Sequence, residues 1–97
     1  MNQADIMRKV LRVDGTVELL ERRHSIGEIS ELINSDCSDS FMLVDGVHVC
    51  IIDDNGIDKG LPVNVLATAL YHQRSRGIGE IYGDAVVVPD FDFGGAV

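Results

Sequence analysis

A chain of 97 residues, 45% hydrophobic and 25% charged with a net charge of −8, has the composition of one globular domain and not of a disordered tail. Sixteen acidic against eight basic residues argue against direct DNA binding, because neutralising phosphates requires a basic surface. No apolar run reaches the length of a membrane-spanning helix, and "MNQADIMRKV" carries no hydrophobic signal segment, so no membrane association and a cytoplasmic location are expected.

With two Tyr, three Phe and no Trp, the core must be built from Ile, Leu, Val and Ala. Cys37 and Cys50 are read as unpaired thiols of a reducing compartment.

Met7 to Val13 predicts a strand with apolar Met7, Leu11 and Val13 sharing one parity. Asp14-Gly15 then separates it from "TVELLE", where Val17 and Leu19 are expected to face inward and Glu18 outward. An Asp-Gly step between two β-prone runs signals a hairpin closed by a type I′ turn.

"SIGEISELIN" predicts a helix. Ser25 and Glu28 have the spacing of a capping box, and Ile26, Ile29, Leu32 and Ile33 form one apolar stripe. Asn34 is the expected stop, and "SDCSDS" a polar loop. Phe41–Val44 and Val47–Asp53, joined by Asp45-Gly46, repeat the hairpin. Val47, Val49 and Ile51 alternate with Cys50 and Ile52, so the return strand is expected at the centre of the sheet with both faces covered. Asp54-Asn55-Gly56 ends it in a turn.

In "KGLPVNVLATALY" Gly60 permits a change of direction, and Pro62 biases Leu61 away from helix. Asn64 then caps a helix starting at Val65, with Leu66, Ala67, Ala69 and Leu70 buried. As a cap, Asn64 would be worth about 1 kcal/mol. The alternative is a pocket in which Gly60, Pro62 and Asn64 contact a small ligand at the helix N-terminus. The helix is expected to fray through "HQRSRG", with Gly77 as breaker and Arg74 and Arg76 near its negative end. "AVVV" is a buried strand ended by Pro89.

The predicted fold is α+β: hairpin, helix, hairpin, helix, strand, in one mainly antiparallel sheet with helices packed against it. It forms a single domain over 1–97, with a core over about 6–89 and a mobile tail over 90–97 from which Phe91 and Phe93 could dock.

Catalytic and metal-binding patterns are weak. "DDNGID" fails as a calcium loop, because the first ligand position would be Ile51 and the expected glutamate is Pro62. His48 and Cys50 share a strand face, but zinc would need a third ligand from Cys37, His24 or His72. "GIGEIYG" is not a dinucleotide fingerprint. Asp53/Asp54 and Asp90/Asp92 have no nucleophile beside them. No catalytic residue, cofactor or metal is therefore expected.

The series "VDGTVELLE", "IGEISELIN", "LVDGVHVCIIDDNG", "KGLPVNVLATALY" and "IYGDAVVV" resembles the family catalogued as domain of unknown function number 3846, small proteins of bacteriophages and mobile elements. The likeness spans residues 8 to 89. It implies a phage or mobile-element origin and a host-cell cytoplasmic setting, and it supplies no catalytic residues. "NSDCSDS" is longer and more polar than the turn at that point in the family.

The expected role is that of a non-enzymatic accessory protein that binds and modulates a host protein, defence systems included. Residues 25–58 hold eight acidic residues and no Lys or Arg, so Glu28, Glu31, Asp36 and Asp39 are candidate contacts to a basic partner. Two alternatives stand beside it. One is sequestration of a small nucleotide-like anion by locally gathered Arg and Lys. The other is an acidic mimic of DNA. An exposed strand edge, such as the first hairpin, could also support a homodimer by continuing the sheet.

Overall fold

The computed structural model describes residues 6–75 and 79–93. In chain order these form β1 (Lys9–Leu11), β2 (Val17–Leu19), α1 (Ile26–Leu32), β3 (Ser38–Met42), β4 (His48–Asp53), α2 (Val65–Ser75), β5 (Ala85–Pro89) and a 3-10 turn (Asp90–Asp92). The class is α+β, as the sequence predicts. The sheet runs β2-β1-β5-β4-β3, and every neighbouring pair is antiparallel.

The last strand in sequence is the centre of the sheet. Ala85, Val86, Val87 and Val88 are each fully buried, which is why this segment carries no polar residue. The strand's two faces meet different cores. Val86 and Val88 pack with Val10, Val49, Ile51 and, from α1, Ile29 and Ile33. Ala85 and Val87 pack with Leu11, Cys50, Ile81 and, from α2, Ala67, Leu66 and Leu70. The two helices therefore cover opposite faces. β4 is buried on both faces as predicted, but it is one strand removed from the centre.

Both hairpins contain the same turn, and it is not the predicted type I′ turn. Only the glycine of each Asp-Gly pair has positive φ, +91° at Gly15 and +70° at Gly46. Gly15 N–H donates to the Arg12 carbonyl (3.0 Å) and Gly46 N–H to that of Leu43 (3.1 Å). This is a type I turn followed by a left-handed glycine. Each aspartate folds back on its own turn: Asp14 accepts from Thr16 N–H at 2.9 Å, and Asp45 from Val47 N–H at 2.8 Å.

α1 carries the predicted capping box, with Ser25 Oγ accepting from Glu28 N–H and Glu28 accepting from Ser25 N–H. Asn34 sits just past its end at φ +54°, the left-handed position that favours Asn or Gly.

Several expectations are overturned. β1 buries Val10 and Leu11 on opposite faces, because it lies inside the sheet, while Met7 is exposed. β2 is an edge strand with Val17 and Leu19 both exposed; Leu20, one residue beyond, packs on the α1-side core instead. Ile26 and Ala69 are exposed on their helices. β3 begins at Ser38, inside the segment expected to be a loop, and pairs it with Asp53.

The chain beyond Pro89 continues as an ordered turn. Asp92 is buried, and Phe93 packs on the α1-side core. Arg8 reaches Asp92 through two parallel bonds of 2.9 and 2.8 Å, and the Arg23 side chain donates to its carbonyl. The calls on Arg76, Gly77 and 94–97 lie outside the described residues. Among the described residues no helix is long and apolar enough to cross a membrane.

Candidate functional site

Gly60 supplies a sharp turn at φ +69° with open space around it. Pro62 is exposed and lines a cleft of about 220 Å³ with Lys59, Leu61 and Asp84. Asn64 lies fully buried. Its Oδ1 accepts from Ala67 N–H (3.0 Å), which is the predicted helix cap. Its Nδ2 donates at 2.9 Å to the carbonyls of both Leu11 and Gly83, and its backbone N–H donates to Ile81. Every polar atom of the side chain is thus spent inside the fold, which removes Asn64 from any ligand pocket. Lys59 is likewise a staple: Nζ donates to the Asn34 carbonyl (2.9 Å) and to the buried Asp53 carboxylate (2.7 Å). The Asp53 bond raises the lysine pKa above its ordinary value.

The four acidic candidates are not brought to one place. Glu28 is paired with Arg22 at 2.8 Å. That bond, followed by the one from Ser25 N–H, lowers its carboxyl to about 2. Glu28 and Glu31 border a shallow depression with Arg22 and His24. Asp36 is strongly exposed and lies 3.9 Å from Lys59 Nζ. Asp39 stands on β3, at the opposite edge of the sheet from β2.

Asp39 stands at the rim of a concavity that the sequence does not reveal. This groove of about 580 Å³ runs between α1 and the outer half of the sheet. α1 contributes Ile26 and Ser30, and β3 contributes Ser38, Asp39 and Ser40. Val49 and Ile51 of β4 form an apolar floor, and Asp90 and Phe93 close one end. Among the described residues its lining holds two carboxylates and no Lys or Arg.

β3 forms the lip of this groove and has an open side. Leu43 N–H donates to the His48 carbonyl and Asp54 N–H to the Cys37 carbonyl, both at 2.8 Å. These bonds fix the phase of the ladder, so residues 37, 39, 41 and 43 turn their backbone groups towards β4. Ser38, Ser40 and Met42 turn theirs outward. The Ser40 N–H is covered locally by Asp39 Oδ1 at 2.8 Å. The opposite side of β3 is held by Phe41, whose ring packs edge-on against Tyr71 with centroids 5.2 Å apart.

The metal candidates are engaged in packing. His48 is buried; its Nε2 accepts from Met7 N–H (3.0 Å), which assigns the ring proton to Nδ1, 2.6 Å from Asp45 Oδ2. Both ring nitrogens are therefore occupied. Burial pushes the Cys50 thiol up to about 12, far from a reactive thiolate.

No family model, curated protein or solved structure matches this chain.

Proposed function

We propose that the protein is a non-enzymatic accessory protein of a phage or mobile element that binds a host protein and modulates it, with defence systems among the candidate targets. The sequence resemblance supplies the setting. The observation that carries the binding role is an open, acid-lined groove beside an unpaired strand edge, a form suited to a macromolecular segment. The strongly paired charges have structural partners. Arg8–Asp92 and Arg12–Asp84 join segments distant in sequence, and Lys59–Asp53 ties the loop after β4 back onto that strand.

The same pairings weigh against a nucleotide-binding reading. Arg8, Arg12, Arg22 and Lys59 are already matched to carboxylates, and an anion would have to displace them. The DNA-mimic reading loses Glu28 and Asp53 to the same internal pairs.

Affinity capture from host lysate, followed by kinetic measurement with the captured protein, tests the proposal. Replacing Glu31, Asp36 and Asp39 with their amides should slow association and flatten its salt dependence, because exposed charges act mainly on encounter. A partner whose binding ignores both salt and these substitutions would overturn the acidic-contact reading.

A further inference from the structure

We propose that β3 is a docking edge for an extended basic segment of a partner protein, which adds to the sheet as a sixth strand and lays alternate apolar side chains into the groove. The proposal rests on the binding role argued above and names its site and the chemistry of its partner.

Three features of one strand coincide. Ser38, Ser40 and Met42 direct backbone N–H and C=O groups to the open side, as the phase of the β3–β4 ladder requires. Side chains alternate, so these same residues face the α1 side of the sheet, where Met42 joins the core and Ser38 and Ser40 line the groove. An added strand would therefore place every second side chain over Val49 and Ile51. Short, small and partly hydroxylated β3 side chains leave room there for the incoming apolar groups.

Charge selects the partner. Asp90 borders the groove and Asp39 stands at the strand edge beside it, with no Lys or Arg in the lining among the described residues, and Asp36 extends into solvent two residues before β3. Basic side chains alternating with the apolar ones would meet Asp39 on the far face of the added strand. Asp39 also holds the Ser40 N–H, one of the groups the new strand must use. A lysine or arginine that draws Asp39 into an ion pair frees that donor. Asp39 thus acts as a gate: it shields the edge from neutral and acidic strands and yields to a basic one.

The test uses the whole protein and two synthetic peptides, Lys-Val-Lys-Val-Lys-Val-Lys and its glutamate counterpart. The lysine peptide should bind at least about tenfold more tightly, and less so as salt rises. Hydrogen exchange should slow at the amides of Ser38, Ser40 and Met42 and not along β2. Ser40→Pro removes an outward N–H and nothing from the β3–β4 ladder, so it should abolish binding. Because this variant could unfold, a lysine peptide N-methylated at alternate residues provides the same block on the ligand side and should not bind.

Equal affinity for both peptides, protection on β2, full binding of the methylated peptide, or no binding at about 1 mM lysine peptide would each overturn the proposal. A host protein captured equally well by folded Ser40→Pro would also overturn it while leaving the binding role intact. Failure to capture any partner would count against the binding role, and the peptide assay would still decide the edge.

Discussion

Asn64 Nδ2 lies 2.9 Å from the Leu11 carbonyl, a contact that closes 53 residues of chain. The same nitrogen reaches Gly83, so one buried amide joins the end of β1, the start of α2 and the approach to β5. A helix cap alone is worth about 1 kcal/mol. Two buried carbonyls that lose a donor raise this, since an unmet buried group costs about 1–3 kcal/mol. Asn64→Ala is therefore expected to lower the unfolding free energy by about 3 kcal/mol. Asn64→Asp keeps the capping oxygen but turns a carboxylate on both carbonyls, and it should be no better tolerated. Urea unfolding measures both; a loss near 1 kcal/mol for Asn64→Ala would mean that only the cap matters.

The Arg8–Asp92 pair binds the C-terminal turn to the first strand, with the Asp92 side chain almost wholly buried and that of Arg8 about one-quarter exposed. Deleting one partner of a buried pair leaves the other charge without compensation. Arg8→Met should cost about 3 kcal/mol, and Asp92→Asn less, because an amide leaves no buried charge. Thermal unfolding should show this order; its reversal would mean that the Arg8 guanidinium left without its carboxylate costs more than the Asp92 carboxylate left without its guanidinium.

What was legible in the sequence was local. The Ser25–Glu28 box, the Asn34 stop and the Asn64 cap each depend on residues within a few positions, and each forms. The faces of short strands were not legible. Val17 and Leu19 alternate like core residues, but β2 is an edge strand that leaves both exposed, and neither fact is written in "TVELLE". Ser38 and Asp39 have poor strand propensity; they are extended because β4 offers Asp53 and Ile52 as partners. "AVVV" announces a buried strand but not that it lies between two hairpins formed earlier in the chain. The groove was invisible for the same reason, since its walls come from α1, β3, β4 and the C-terminal turn. The acidic run did indicate charge, yet folding consumed Glu28 and Asp53 internally and left Asp36 and Asp39 outside.

Acid should weaken the fold in a defined window. Burial acts to raise the Asp45 pKa, but bonds from the backbone N–H groups of His48 and Val47 and from the His48 ring outweigh it and bring the value down to about 2. Glu28 falls to about 2 as well, from an ordinary 4.5. Both are depressed carboxyls, so their contributions are complete above the ordinary values of 3.8 and 4.5 and are lost as pH falls towards about 2. Unfolding free energy should therefore decline from about pH 4.5 downward. Asp45→Asn should lower stability at neutral pH and flatten this decline; an unchanged acid slope would remove Asp45 from the account.

The two cysteines provide a direct readout of the sheet's integrity. Cys37 is an exposed free thiol immediately before β3, whereas Cys50 is fully buried between β5 and α2. Burial alone raises the Cys50 thiol to about 12, so at neutral pH it holds almost no thiolate and offers no path to a reagent. A disulfide-exchange reagent such as dithionitrobenzoate should modify one thiol of the native protein quickly. The second should follow only at the rate at which the core opens. Cys37→Ser should abolish the fast phase, and Cys50→Ser should leave it intact. Urea should accelerate the slow phase in step with unfolding, because reaching Cys50 requires separating α2 from the sheet. Rapid reaction of both thiols in the native state would mean that α2 does not hold the face of the sheet on which Cys50 lies.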